Sequence, residues 1–320
     1  MARLEHAIGI DIGGGSTKIG LVSSDGAIID RDRVTYDDLE SADAIMGRVA
    51  DACLAMLARN AEIDPVGAGI GFPGPIHPGN MSGMLGNVPA LNDMPLAERM
   101  AALISKPTRM ENDASAAGIA EARFGGHKAA RRQLLVTVGT GIGVAFTVDG
   151  LPFVTSDGSL GNAGHLIVNA LDPKRCRLGC LGCLESVASG EALDARAGEQ
   201  AAMDPSGTIA RSAATRGQAA GTQDIVACAL AGDPHAVRML DETGRWLGRA
   251  SASWAHIFAP DLILVGGGVS AAGALLLGPI EREARQCGLE MYLKDTRFGL
   301  ASLGNDAGII GAASQFLQNT

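Results

Sequence analysis

Aromatic side chains are scarce: Phe, Tyr and Trp supply 3% of the 320 residues, so the interior must be assembled from Ala, Val, Ile, Leu and Met within a hydrophobic share of 47%. No apolar run reaches the roughly 18–20 residues that cross a bilayer, and the N-terminal MARLEHAIGI has no basic stretch leading into an apolar one and a cleavage site. A soluble, cytoplasmic protein with no membrane partner is expected. A basic stripe is also missing. Net charge is −9 with acids and bases interspersed, which leaves nothing to neutralise a phosphate backbone and argues against a nucleic-acid partner. The commoner nucleotide fingerprints are absent too: there is no GxxxxGK followed by Ser or Thr, and 139–144 reads GTGIGV, without the third Gly of GxGxxG. P-loop and Rossmann readings, and with them an NAD-dependent oxidoreductase, are disfavoured.

Glycine, by contrast, is abundant, at 44 residues. The length exceeds the size at which a single core usually stops growing, so two lobes with a cleft between them are expected. Strand patterns occupy Ala7–Ile12, Ile19–Val22 and Ala27–Val34, and residues 40–59 then switch to helical spacing, with Ile45, Val49, Cys53, Met56 and Leu57 on one face. Val66–Ile70 reads as a strand, 94–105 as a helix, 108–110 as a strand, and 114–124 as an Ala-rich helix. After a basic connector at 126–132 the strand, glycine turn, strand pattern begins again at Leu134–Val138 and Val144–Val148, which suggests two related lobes. A long helix at about 233–258, a strand at Leu262–Val265 and a final helix at about 306–318 complete the α/β pattern.

Three glycine-rich turns follow apolar strands: Gly13-Gly14-Gly15, Gly139-Thr140-Gly141 and Gly266-Gly267-Gly268. Glycine lets backbone N–H groups approach an anion, so such turns can cradle phosphates, although any one alone also serves to close a hairpin. Asp11, just before the first turn, is placed to hold Mg2+, or else to form an Asx-type turn. Thr17 and Lys18 could bring a hydroxyl and a cation near the phosphates. Asn112-Asp113 falls at a strand-to-helix junction, where Asp113 suits a general base accepting a hydroxyl proton and Asn112 can fix a neighbouring hydroxyl. On local sequence alone, Asp113 as a helix cap is the competing reading. His165, Cys176, Cys180 and Cys183 fall within nineteen residues, and Cys180 and Cys183 have CxxC spacing. In a chain expected in the cytoplasm, this reads as a structural Zn2+ site, with buried free thiols as the alternative.

Together these segments resemble the ROK family (repressors, open reading frames and sugar kinases). The resemblance rests on DIGGGSTKIGLV (11–22), GIGFPGPI (69–76), ENDASAAGIAEARFG (111–125), TVGTGIGVAFTVDG (137–150), the histidine and cysteines of 164–190, LILVGGGVS (262–270) and LGNDAGIIGAA (303–313). It implies the two-lobed actin-like ATPase, ribonuclease H-like fold, with a smaller lobe at 1–124 plus 305–320 and a larger one at 125–304. It also implies ATP and Mg2+, a hexose or N-acetylhexosamine as phosphate acceptor, and a homodimer. By resemblance Asp113 matches the base. Gly74, Asn87, Asn112, His165 and Glu185 match sugar-side positions, and Gly141, Gly267 and Gly268 match the nucleotide loops.

Three departures stand out. Gly15-Ser16 replaces the usual TK of the first loop, with Lys18 two residues later, as in polyphosphate/ATP glucokinases. Leu178 stands at the usual second cysteine, with Cys180 two residues on. Asn162 replaces the glutamate of the ExGH motif, which loosens the preference for a particular sugar. A sugar-dependent kinase is therefore the expected activity. A sugar sensor without turnover and an ATPase that needs no sugar are the rivals.

Overall fold

The computed structural model describes residues 4–36, 41–77, 81–83, 88–127, 129–155, 160 and 162–317. The chain opens on a hairpin in which β1 (His6–Ile12) runs antiparallel to β2 (Ser16–Ser23), pairing Asp11 with Lys18 and Ile12 with Thr17. β3 (Ile28–Thr35) lies at the sheet edge, where its Asp and Arg residues keep the exposed strand polar. Ser41 caps α1 (Ala42–Arg59) by accepting from the Ala44 N–H, and the helix buries Ile45, Val49, Cys53 and Met56. β4 (Ala68–Phe72) pairs parallel with β1 and is buried at every position, as expected of a central parallel strand. A short hairpin, β5 (Ile76–His77) with β6 (Met81–Ser82), leads to α2 (Leu96–Ile104). β7 (Thr108–Asn112) then pairs parallel with β4 and runs directly into α3 (Asp113–Phe124).

The same plan recurs. The first sheet has the order β3-β2-β1-β4-β7. The second is built from β8 (Arg132–Val138), β9 (Ile142–Val148), β10 (Leu151–Pro152), β11 (Leu262–Gly266) and β12 (Arg297–Leu300), in the order β10-β9-β8-β11-β12. Between β10 and β11 the described residues include a 3-10 turn at Ala163–His165 and the helices α4 (Glu185–Ala188), α5 (Gly190–Met203), α6 (Thr208–Arg216), α7 (Thr222–Leu230) and α8 (Pro234–Phe258). α9 (Ala274–Cys287) and α10 (Glu290–Leu293) precede β12, and α11 (Ala307–Ala313) ends the described helices. The chain divides into two units: Met1–Arg131 with Ala145–Gly161 and Ser302–Thr320, and Arg132–Val144 with Asn162–Ala301.

The glycine excess has a packing role in the first unit. α11 lies directly on β1 and β4, so that a Cβ at Gly9 would sit 2.0 Å from the Ile309 carbonyl oxygen, and one at Gly69 would sit 1.7 Å from that of Ala312. The aromatic-poor core beside it is made of Ile8, Ile10, Ile19, Leu21, Met46, Met56, Ile70 and Phe72. The final helix is shorter than its sequence pattern suggests: a 3-10 turn at Gly304–Asp306 precedes it, and it ends at Ala313. No helix among the described residues is long and apolar enough to cross a membrane.

Candidate active site

Adjacent residues on a strand face opposite ways, so Thr17 and Lys18 part company. The Lys18 Nζ lies 3.3 Å from Asp11 Oδ2 and 3.4 Å from the Asn305 carbonyl oxygen. Thr17 is fully buried beneath the turn, its hydroxyl 3.2 Å from that of Tyr36. The Tyr36 hydroxyl donates to the Gly13 carbonyl at 2.6 Å and the Tyr36 N–H to the Gly15 carbonyl at 3.2 Å, while the Gly13 N–H donates to Ser16. Burial raises the Tyr36 pKa and keeps it a donor. Gly14 and Gly15 are exposed at the tip. Asp11 is half-buried, and Gly308 at the start of α11 makes room for it: a Cβ there would meet the carboxylate carbon at 2.6 Å.

The competing reading of Asp113 as a helix cap is settled by its neighbour. Asn112 caps α3, its Oδ1 accepting from the Ser115 N–H at 3.1 Å, while its Nδ2 donates to the Gly74 carbonyl at 3.2 Å. Asp113 is the first helical residue, and its Oδ1 accepts from the adjacent Ala114 N–H at 2.7 Å. Burial, with the charge of Asp11 adding to it, pushes the Asp113 carboxyl up to about 7. Glu111, which no sequence signal marked, is likewise pushed to about 7 by burial, and its Oε1 accepts from the Asn112 N–H. Asn87 lies outside the described residues.

In the second unit the 3-10 turn delivers His165, with Asn162 exposed just before it. The loop that follows folds back through bridges between Ile167 and Cys183 and between Arg175 and Leu181, and Gly179 and Gly182 turn it at φ of 97° and 69°. His165 Nδ1 and the Sγ atoms of Cys176, Cys180 and Cys183 thereby come within 4.8 Å of one another. Leu178 points outward, 53% exposed, and Cys180 takes a place in the cluster, 3.2 Å from His165 Nδ1 and 3.3 Å from Cys176 Sγ. Three thiols and one imidazole suit a tetrahedral ion. Glu185, buried at the start of α4, turns Oε2 to the Ile142 N–H at 2.9 Å and has Oε1 3.9 Å from His165 Nε2.

The second and third glycine turns meet on one cavity of about 710 Å³, lined in part by Gly139, Thr140, Gly268, Val269, Arg216 and Leu230. That volume is ordinary for a small-molecule site. The N-terminus of α5 holds the second turn, with the Gly190 N–H donating to the Gly139 carbonyl at 2.7 Å and the Glu191 N–H to that of Thr140 at 3.3 Å. Gly267 has a φ of 82°, and a Cβ on it would lie 2.4 Å from the Val138 carbonyl oxygen, so only glycine fits. The opposite wall comes from α5 to α7, which no motif announced. There Asp194 Oδ1 accepts from the Thr222 N–H and hydroxyl, and Arg216 pairs with the buried Asp224.

Two α/β units with the same sheet order, each opening on a strand, glycine turn, strand hairpin, define the actin-like ATPase fold. Within that class the chain matches the ROK family over residues 7–319, and it belongs to that family. It is 32% identical to the glucokinase of Thermotoga maritima over 310 residues, 96% of each chain. The ROK family glucokinase of Streptomyces griseus, solved in complex with glucose and AMPPNP, aligns with a TM-score of 0.80 at 30% identity, over 97% of this chain and 99% of that one. A ROK family transcriptional regulator, a homolog of the E. coli MLC protein, aligns with a TM-score of 0.84 at 26% identity, over 98% of this chain and 78% of its own.

Proposed function

We propose that the protein transfers the γ-phosphate of ATP to a hydroxyl of a hexose or N-acetylhexosamine, with Asp113 accepting the hydroxyl proton. The observation that carries this reading is the division of labour at the β7–α3 junction. Asn112 serves as the cap, and Asp113 is left with a carboxyl poised near neutrality, as a general base requires. Asn112 keeps one amide hydrogen for the acceptor sugar, since it spends the other on Gly74. The cavity at Gly139, Thr140 and Gly268 is offered to the nucleotide, and Asp11 with Lys18 is offered to the phosphate end. Mg2+ held by Asp11 would neutralise charge on the transferring group. Zn2+ held by His165, Cys176, Cys180 and Cys183 would order the loop bearing His165 and Glu185, with no open position for catalysis.

The glucose in the Streptomyces griseus complex favours a hexose. Asn162 both accepts and donates where the family's usual glutamate only accepts, which suits an acceptor carrying an acetamido group. A sugar sensor without turnover is the second reading, favoured by the likeness to the regulator.

Asp113→Asn tests the assignment. The variant should lose about a thousandfold in kcat, within the range of a general base, while it still binds AMPPNP. In the wild type, activity should fall as pH drops below about 7, because a protonated carboxyl accepts nothing. Folded Asp113 holds a proton that the unfolded chain has released between its ordinary value of 3.8 and about 7, so the group costs stability increasingly as pH rises through that window. The Asn variant is therefore expected to have a Tm at pH 8 no lower than that of the wild type. A variant that retains most of its kcat would show that Asp113 is not the base.

A further inference from the structure

The carboxylate of Glu185 makes two contacts whose partners belong to different functions. Oε1 faces His165, on the loop offered to the sugar, and Oε2 holds the Ile142 N–H, at the root of the second glycine turn. Glu185 is itself buried, so this backbone bond is sheltered from competing water. Gly141 gives a second, independent sign of the same contact. A Cβ built there would lie 2.5 Å from Glu185 Oε2, and the three heavy atoms it would approach most closely all belong to the Glu185 carboxylate. The Gly141 φ is not in the left-handed region, so its backbone would accept a side chain. The lack of one is explained by the carboxylate that occupies the space.

We infer that Glu185 is a positioning residue for the nucleotide turn: by holding the Ile142 N–H it sets the conformation of Gly139–Gly143 against the cavity, and Gly141 is glycine to admit it. The inference rests on the nucleotide reading of that cavity. It gives one carboxylate a share in both halves of the reaction, because the group placed beside His165 for the sugar also fixes the turn expected to meet the phosphates.

The test is calorimetric titration of AMPPNP, with no sugar present, into the wild type, Glu185→Ala, Glu185→Gln, Gly141→Ala and the double variant Gly141→Ala/Glu185→Ala. Loss of a charge-assisted bond to a buried N–H should weaken binding about tenfold in Glu185→Ala. Glu185→Gln keeps an oxygen for Ile142 and should restore most of the affinity. Gly141→Ala, which displaces the intact carboxylate, should lose about as much as Glu185→Ala. The double variant should lose no more than either single one, because each removes the same contact. A purely structural role would give additive losses and no recovery with Gln. Additive losses, or a Glu185→Ala variant that binds as the wild type does, overturn the inference while leaving the kinase reading in place. A wild type that binds no AMPPNP overturns both.

Discussion

The turn Gly13–Gly15 joins β1 to β2 and the turn Gly139–Gly141 joins β8 to β9, at matching places in sheets of matching order, yet they are braced by different means. Side chains fix the first: Tyr36 grips the carbonyl of Gly13, and a salt bridge between Asp11 and Lys18 lies across the same hairpin. The second is fixed from α5 and α4, by the backbone N–H groups of Gly190 and Glu191 at the start of α5 and by the buried Glu185 carboxylate that holds the Ile142 N–H. One frame has thus been given two chemistries. A part-exposed ion pair, Asp11 with Lys18, stands beside the first turn, where a metal ion and transferring phosphate would need it, whereas the second keeps its carboxylate buried and offers glycine backbone to a cavity large enough for a nucleotide.

Of the changes that probe this contrast between the two turns, Asp11→Asn should cost most. It removes the carboxylate offered to Mg2+ and is expected to lower kcat/KM for MgATP about a hundredfold, with the half-saturating Mg2+ concentration raised. An unchanged Mg2+ titration would place the ion elsewhere. Gly190→Ala strikes the second turn instead, because its Cβ would lie 2.6 Å from the Gly139 carbonyl oxygen. Here KM for ATP should rise about tenfold while the Mg2+ response stays as in the wild type, a change in binding more than in chemistry. Tyr36→Phe is the mildest probe. Losing one donor to the Gly13 carbonyl should cost about 1 kcal/mol in unfolding free energy, read by urea titration, with only a small rise in KM. A Tyr36→Phe variant as impaired as Asp11→Asn would erase the distinction between bracing and chemistry.

Much of this was legible in the sequence, for identifiable reasons. Glycine turns after apolar strands announce themselves because glycine is costly elsewhere, and the Asn112-Asp113 junction is marked by the change from period 2 to period 3.6. The cysteine cluster is dense enough to stand out, and Cys180 does join it with Leu178 turned away. Which of two adjacent residues caps a helix is decided by backbone geometry, however, and only the structure gives that work to Asn112. Thr17 beside Lys18 shows a related limit: strand alternation sends them to opposite faces, but the hydroxyl partner of Thr17, Tyr36, follows the neighbouring strand β3 and has no local signature. The cavity wall from α5 to α7 was hidden because Asp194, Arg216 and Asp224 do generic work, tying helix ends together and pairing charges, that leaves no motif. Glu111 was missed because its raised pKa comes from burial, which a lone carboxylate in a sequence does not reveal.

The most direct test of the account is ADP release from MgATP, measured across glucose, mannose, fructose, allose, N-acetylmannosamine and N-acetylglucosamine, with a no-sugar control. Release that depends on one or a few of these sugars, and that Asp113→Asn abolishes, is the predicted result. Equal release with and without sugar would make the protein an ATPase, and sugar binding with no release under any condition would make it a sensor; either outcome contradicts the assignment of Asp113 as the base of a sugar kinase.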